Sequence, residues 1–168
     1  MGDIKNKLGK KLLLGSAGVF VALAASAGKP PDCWMTGGGS IFDADGMVEY
    51  TGRTTHGMVL HCDSRNPNRL EINWEGNQFH LTSLNAAMCP DTAGIEPNPP
   101  GAAFDTFQGM GEGRLNGVPG ATISFTFTDA GEPGVNDTAE ITIFDPDGWQ
   151  VLNIAGPLTF GNHQAHSN

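Results

Sequence analysis

Thr122-Ile123-Ser124-Phe125-Thr126-Phe127-Thr128 alternates apolar and hydroxyl side chains without a break. Successive side chains of an extended strand point to opposite faces, so Ile123, Phe125 and Phe127 share one face and the hydroxyls the other. That is a half-buried β-strand, and the same period recurs on both sides of it. Ala139, Ile141 and Ile143 alternate with Glu140 and Thr142, beyond a loop at 130–136. Upstream, Phe104, Thr106 and Gln108 open an extended stretch that runs through Gly109-Met-Gly-Glu-Gly113 to the tight-turn dipeptide Asn116-Gly117. Phe79 and Leu81 alternate with Gln78, His80 and Thr82; Leu70, Ile72 and Trp74 with Glu71 and Asn73; Met58, Leu60 and Cys62 with Gly57, Val59 and His61. Glu75-Gly-Asn77 and Pro146-Asp-Gly148 read as hairpin turns. Ser40-Ile41-Phe42 reads as strand after a flexible Thr36-Gly-Gly-Gly39, and Asp43-Ala-Asp-Gly46 as a turn.

Eight to ten short strands with regularly spaced turns predict an all-β protein, a single antiparallel β-sandwich of the jelly-roll or Greek-key kind. Its expected inward set is Leu60, Ile72, Trp74, Phe79, Leu81, Ile123, Phe125, Phe127, Ile141, Ile143 and Val151. The only good helix formers in sequence, Leu84-Asn-Ala-Ala-Met88, span little more than one turn. Residues 89–103 hold four prolines and read as loop.

The N-terminus carries the clearest targeting signal. Lys5, Lys7, Lys10 and Lys11 precede an apolar run over 12–24 and the small triplet Ala25-Ser26-Ala27. A basic segment, a short apolar segment and an Ala-x-Ala site read as a secretory signal peptide over 1–27. The run is shorter than the roughly 20 residues of a membrane span. Residues 28–35 read as a leader and 36–168 as the β-domain. The whole chain has 9 basic and 18 acidic side chains, a formal charge of −9. Residues 1–27 hold four of the lysines and one aspartate, so the mature chain keeps five basic against 17 acidic groups, about −12. Such a surface repels nucleic acid and anionic membranes and suits an extracellular or cell-surface setting. In an oxidising compartment, Cys33, Cys62 and Cys89 imply one disulfide and one leftover thiol. Three pairings are open. Cys62–Cys89 is favoured, because both lie in or at the end of strands; Cys33 would then be free or intermolecular.

Several phrases resemble the post-COAP-1 domain, a secreted bacterial domain of unknown function. They are Thr36-Gly-Gly-Gly39, His56-Gly-Met-Val-Leu-His-Cys-Asp63, Asn73-Trp74 with Phe79-His80-Leu81, Gly117-Val-Pro-Gly-Ala121, Phe127-Thr-Asp-Ala-Gly-Glu-Pro-Gly134 with Asn136-Asp-Thr138, and Gly161-Asn-His-Gln-Ala-His166. The resemblance covers nearly all of the mature chain. It implies a secreted or surface-attached bacterial module and carries no established activity.

Two sets of residues suggest ion binding. His61, His80, His163 and His166, with Asp63, supply the imidazoles and carboxylate of a transition-metal site. The bland alternative is a wet strand face and a loose tail. Asp129, Glu132, Asn136 and Asp137 crowd one loop, as calcium ligands do. Asp43-x-Asp45-Gly46 and Asp145-x-Asp147-Gly148 resemble calcium-loop fragments, yet Asp-Gly is ordinary turn chemistry and no full EF-hand pattern exists. Catalysis is not expected. Ser124 and Thr126 lack a nucleophile elbow, and His61 and Cys62 are adjacent on a strand and so face opposite ways. Glu71 with Glu140 is a carboxylate pair whose separation the sequence leaves open. Trp34, Trp74 and Trp149 would form a carbohydrate platform if coplanar and exposed.

The expected role is structural or adhesive, with self-association through an N-terminal strand, Thr36, Gly37, Gly38, Gly39, Ser40, Ile41 and Phe42, added to a neighbouring copy. The alternatives are a divalent-metal protein or metal-dependent enzyme, and a carbohydrate-binding module.

Overall fold

The computed structural model describes residues 32–42, 52–95 and 101–168. The stretch 1–27 read as a signal peptide, the first half of the leader (28–31) and the stretch 43–46 read as a turn lie outside these residues.

Among the described residues the fold has nine antiparallel strands: β1 (Cys33–Phe42), β2 (Arg53–His61), β3 (Arg69–Trp74), β4 (Asn77–Met88), β5 (Thr106–Leu115), β6 (Val118–Thr128), β7 (Thr138–Phe144), β8 (Gln150–Pro157) and β9 (Phe160–Ser167). A 3-10 turn, Gly134–Asn136, precedes β7. The strands form one sheet in the order β8-β7-β6-β5-β4-β3-β2-β1-β9. Every connection from β1 to β8 joins sheet neighbours, so the chain meanders and then returns once to place β9 beside β1. The sheet curls into a half-barrel. One curled sheet therefore stands where the sequence suggested a jelly-roll or Greek-key sandwich. Alternation reports that one face is buried, and this holds whether that face meets a second sheet or its own far end.

Two residues, Leu158 and Thr159, carry the chain from β8 at one end of the order to β9 at the other. The curl must therefore bring the two ends together. The C-terminal stretch pairs with β7 over 150–157 and with β1 over 160–167. Exchanging partners midway lets one stretch of chain tie both ends of the sheet.

The turns follow their residues. Glu75-Gly76 and Asn116-Gly117 join β3 to β4 and β5 to β6 with positive φ at both positions, 42° and 80°, then 51° and 84°. Such two-residue turns match the right-handed twist of the flanking strands. At the third hairpin, Asp145 Oδ1 accepts the Asp147 and Trp149 N–H groups, and the Asp145 N–H donates to the Trp149 carbonyl. That acidic pair is turn chemistry and needs no ion.

The concave face holds the core. Met35, Ile41, Leu60, Leu70, Ile72, Phe79, Phe107, Phe127, Ile141 and Ile143 are fully buried. Ten of the eleven expected inward residues are buried; Val151 is not, and Leu152 and Ile154 point inward in its place. A register shift between Ile143 and Phe144 lets Phe144 pair with Gln150 while Ile143 pairs with Leu152, which changes the parity just there. β1 begins at Cys33, inside the stretch read as leader, and Thr36–Gly39 is regular strand. The segment 84–88 is strand as well, the end of β4, because pairing with β5 outweighs a one-turn helical preference.

Beyond Phe107, the next three inward positions of β5, Gly109, Gly111 and Gly113, are glycines. A Cβ on Gly109 would meet the Phe125 ring at 2.2 Å, on Gly111 the Leu81 side chain at 2.7 Å, and on Gly113 the Phe79 ring at 2.4 Å. Side chains from β4 and β6 thus lie across β5, which lets the sheet bend tightly over a filled interior.

Candidate functional site

His163 sits mid-strand on β9, wholly buried, opposite Gly37 of β1. Its Nδ1 is 3.0 Å from the Thr128 carbonyl, so Nδ1 carries the proton and donates. Its Nε2 is then an acceptor, and His56 Nε2 donates to it across 2.7 Å. His56, on β2, stacks on Phe127 with ring centroids 5.0 Å apart, and its own Nδ1 is buried without a partner. Burial, and for His56 the neighbouring His163, lowers the pKa values to about 3 for His56 and about 4 for His163. Both rings are neutral at pH 7.

The loop between β6 and β7 covers the outer edge of β9. Asp137 Oδ2 accepts the His163 N–H at 2.7 Å, and Asp129 Oδ2 accepts the Ala165 N–H at 2.7 Å. These are alternate N–H groups, the ones a further strand would have bound. The other oxygens accept the Ala130 and Gly131 N–H groups, each at 2.8 Å. Glu132 Oε1 accepts from the Asn162 and Gln164 side chains. Burial pushes Asp137 up to about 6, against the two N–H bonds that hold it down.

The loop expected to bind calcium is thus an edge cap. Its carboxylates are already bonded to N–H groups, and Asn136 is exposed at the end of the 3-10 turn. The expected transition-metal set is likewise divided. His163 pairs with His56. His80 Nδ1 lies 3.0 Å from Glu71 Oε1 on the exposed face. Asp63 forms a two-pronged pair with Arg65, at 2.8 and 2.6 Å, which lowers its pKa to about 2. His61 and His166 do share a neighbourhood, as the cross-strand partners of Trp34 on either side. Trp34 lies between them on the same face, and among the described residues no third His, Cys, Asp or Glu joins them. His166 stacks on Trp34 at 5.0 Å, and the Thr36 hydroxyl lies 3.0 Å from its Nε2. Among the described residues no three of His, Cys, Asp and Glu converge to hold a metal.

The remaining expectations divide. Cys62 and Cys89 form the disulfide, and Cys33 is a buried free thiol. The assembly segment is not free to be donated: Thr36 to Ser40 pair with β2 on one side and β9 on the other. Glu71 and Glu140 lie on strands four places apart, beyond the 5–10 Å or so that a glycosidase pair uses. Trp74 is buried, Trp34 has one face against His166, and Trp149 is exposed, so the three form no common platform.

Sequence reasoning passed over His56, though strand parity places it with Met58 and Leu60 on the inward face. It also passed over a recess of about 260 Å³ on the outer face of β4 to β7. The outward Ser124, Thr126, Glu140 and Thr142 line it together with Ala86 and Ala87, the inward-facing Gly109 and Phe125 also border it, and Met88 and Met110 flank it at 63% and 60% exposure.

Comparison of the chain with known protein families, with curated proteins and with solved structures returns no match. The class defined here is an all-β protein with one disulfide and a curled nine-stranded sheet.

Proposed function

We propose that the chain is a secreted or cell-surface β-domain with a structural or adhesive role, acting through its outer face. The observation that carries this reading is the apolar recess flanked by the solvent-facing Met88 and Met110. Methionine is flexible and polarizable and moulds to an incoming apolar group, which suits a contact surface. The disulfide is compatible with an oxidising compartment. The acidic surface keeps such a protein soluble, and the recess is a locally apolar exception on it.

The test has two parts. Expression of the full chain in a secreting bacterium, with intact-mass analysis, reports whether the protein is exported and cut after Ala27. Sedimentation velocity over a wide concentration range, and retention on the producing cells, then compare the wild type with Met88→Glu/Met110→Glu. The proposal expects export, and self-association or cell retention that the double variant loses with its circular dichroism unchanged. An unprocessed cytoplasmic protein, or contacts indifferent to the two methionines, would overturn it.

A further inference from the structure

Cys62 stands between two other cysteines. On one side it is bonded to Cys89, with Cα atoms 5.9 Å apart. On the other its N–H donates to the Cys33 carbonyl at 3.0 Å, which continues the β1–β2 register by one step beyond Trp34↔His61. Directly opposed residues of an antiparallel pair put their side chains on the same face, with Cα atoms about 5.5 Å and Cβ atoms about 4.5–5.5 Å apart. That Cα spacing lies inside the range of about 4.4–6.8 Å over which disulfides form. The burial pattern agrees: Cys33 belongs to the core, and Cys62 and Cys89 pack against it.

We propose that the three cysteines form a thiol–disulfide exchange relay, in which Cys62 bonds alternately to Cys89 and to Cys33. The Cys33 thiolate attacks Cys62 Sγ, a Cys33–Cys62 bond forms, the Cys62–Cys89 bond breaks, and Cys89 leaves as the thiolate that takes up the proton Cys33 released. No external oxidant or reductant is consumed. The exchange moves the free thiol from Cys33, 8% exposed, to the partly exposed Cys89 beside the Pro-rich loop. It also replaces a tether between β2 and the end of β4 with one between β1 and β2. In the second state Cys89 is open to thiol-directed modification, by a small-molecule disulfide or by a cysteine of another chain. Burial, and Asp32 beside it, raise the Cys33 pKa, so the attacking thiolate is scarce at neutral pH and the exchange is slow there. The inference does not depend on the adhesive role.

The test uses the full chain, purified without reductant and kept folded in mildly alkaline buffer with a thiol-alkylating maleimide. Non-reducing proteolysis and mass spectrometry then locate the label and the disulfide. The relay predicts label on Cys89 together with a Cys33–Cys62 bond, and loss of the Cys89 label in Cys33→Ser. Label confined to Cys33, or no label, with Cys62–Cys89 the sole disulfide, would overturn it. Cys89→Ser supplies a second reading: oxidised glutathione should drive an intramolecular Cys33–Cys62 bond. Mixed disulfides with glutathione on either cysteine instead count against the relay. If that variant does not fold, the wild-type labelling pattern decides alone.

Discussion

Asp137 shows how much a single side chain carries here. Its two oxygens hold the Ala130 N–H in its own loop and the His163 N–H on β9. Removing an acceptor strands the buried donors, which costs about 1–3 kcal/mol each. Asp137→Ala should therefore lower unfolding stability by about 3 kcal/mol in urea titration, whereas Asn136→Ala, one residue away and exposed, should change it by less than about 0.5 kcal/mol. Equal effects would mean that the loop does not seal the β9 edge. His163 and His56 are read at this scale too. A buried imidazole on a strand looks the same in sequence as an exposed one, and only parity with Met58 and Leu60 hints that His56 faces inward.

Among the elements, β5 depends most on the size of its inward residues. Gly113→Ala places a methyl 2.4 Å from the Phe79 ring and the His80 carbonyl. Backbone on one side and a packed ring on the other leave little room to yield, so the variant should lose about 1–3 kcal/mol. Gly57→Ala, on the exposed face of β2 with nothing within 4 Å of the new atom, should be neutral or gain about 0.5 kcal/mol by restricting the unfolded chain. Thermal unfolding of the two variants side by side measures the contrast. The disulfide acts at the same scale by linking β2 to the end of β4. With its cysteines 27 positions apart in sequence, it should contribute about 3–4 kcal/mol, read as the loss in a Cys62→Ser/Cys89→Ser variant.

The whole molecule responds to acid through its buried titrating groups. His56 and His163 have folded pKa values of about 3 and about 4, below the 6.5 of a free imidazole. The unfolded chain therefore binds their protons first, and the stability present above pH 6.5 is lost as pH falls toward 4. Asp137 acts oppositely. Its folded pKa of about 6 lies above the free value of 3.8, so it adds stability as pH falls through that window. Two groups against one leave a net uptake of about one proton on unfolding near pH 5, or about 1.4 kcal/mol lost per pH unit. Urea midpoints between pH 7 and pH 4.5 should fall steadily; a flat or rising profile would show that the histidine pair is not buried and neutral.

The sequence alone determined the class of fold, most of the strands, the hairpin turns and ten of the eleven inward residues. These follow from local rules: period-2 alternation, Asn-Gly and Asp-Gly turns, and helix formers too few to sustain a helix. It also favoured the Cys62–Cys89 pairing, since both residues end strands. Tertiary structure decided what those rules cannot reach. Whether a buried face meets a second sheet or its own curled end depends on sheet bending, set by the contacts of Gly109, Gly111 and Gly113 with the Phe125, Leu81 and Phe79 side chains of the neighbouring strands. Whether Asp129 and Asp137 bind an ion or seal an edge depends on β9, 26 to 36 residues further along the chain. Whether five histidines gather or scatter depends on strand order, and here β1 lies between β2 and β9, so Trp34 separates His61 from His166. Local pattern sets which face a side chain takes; only the closure of the sheet sets what it meets there.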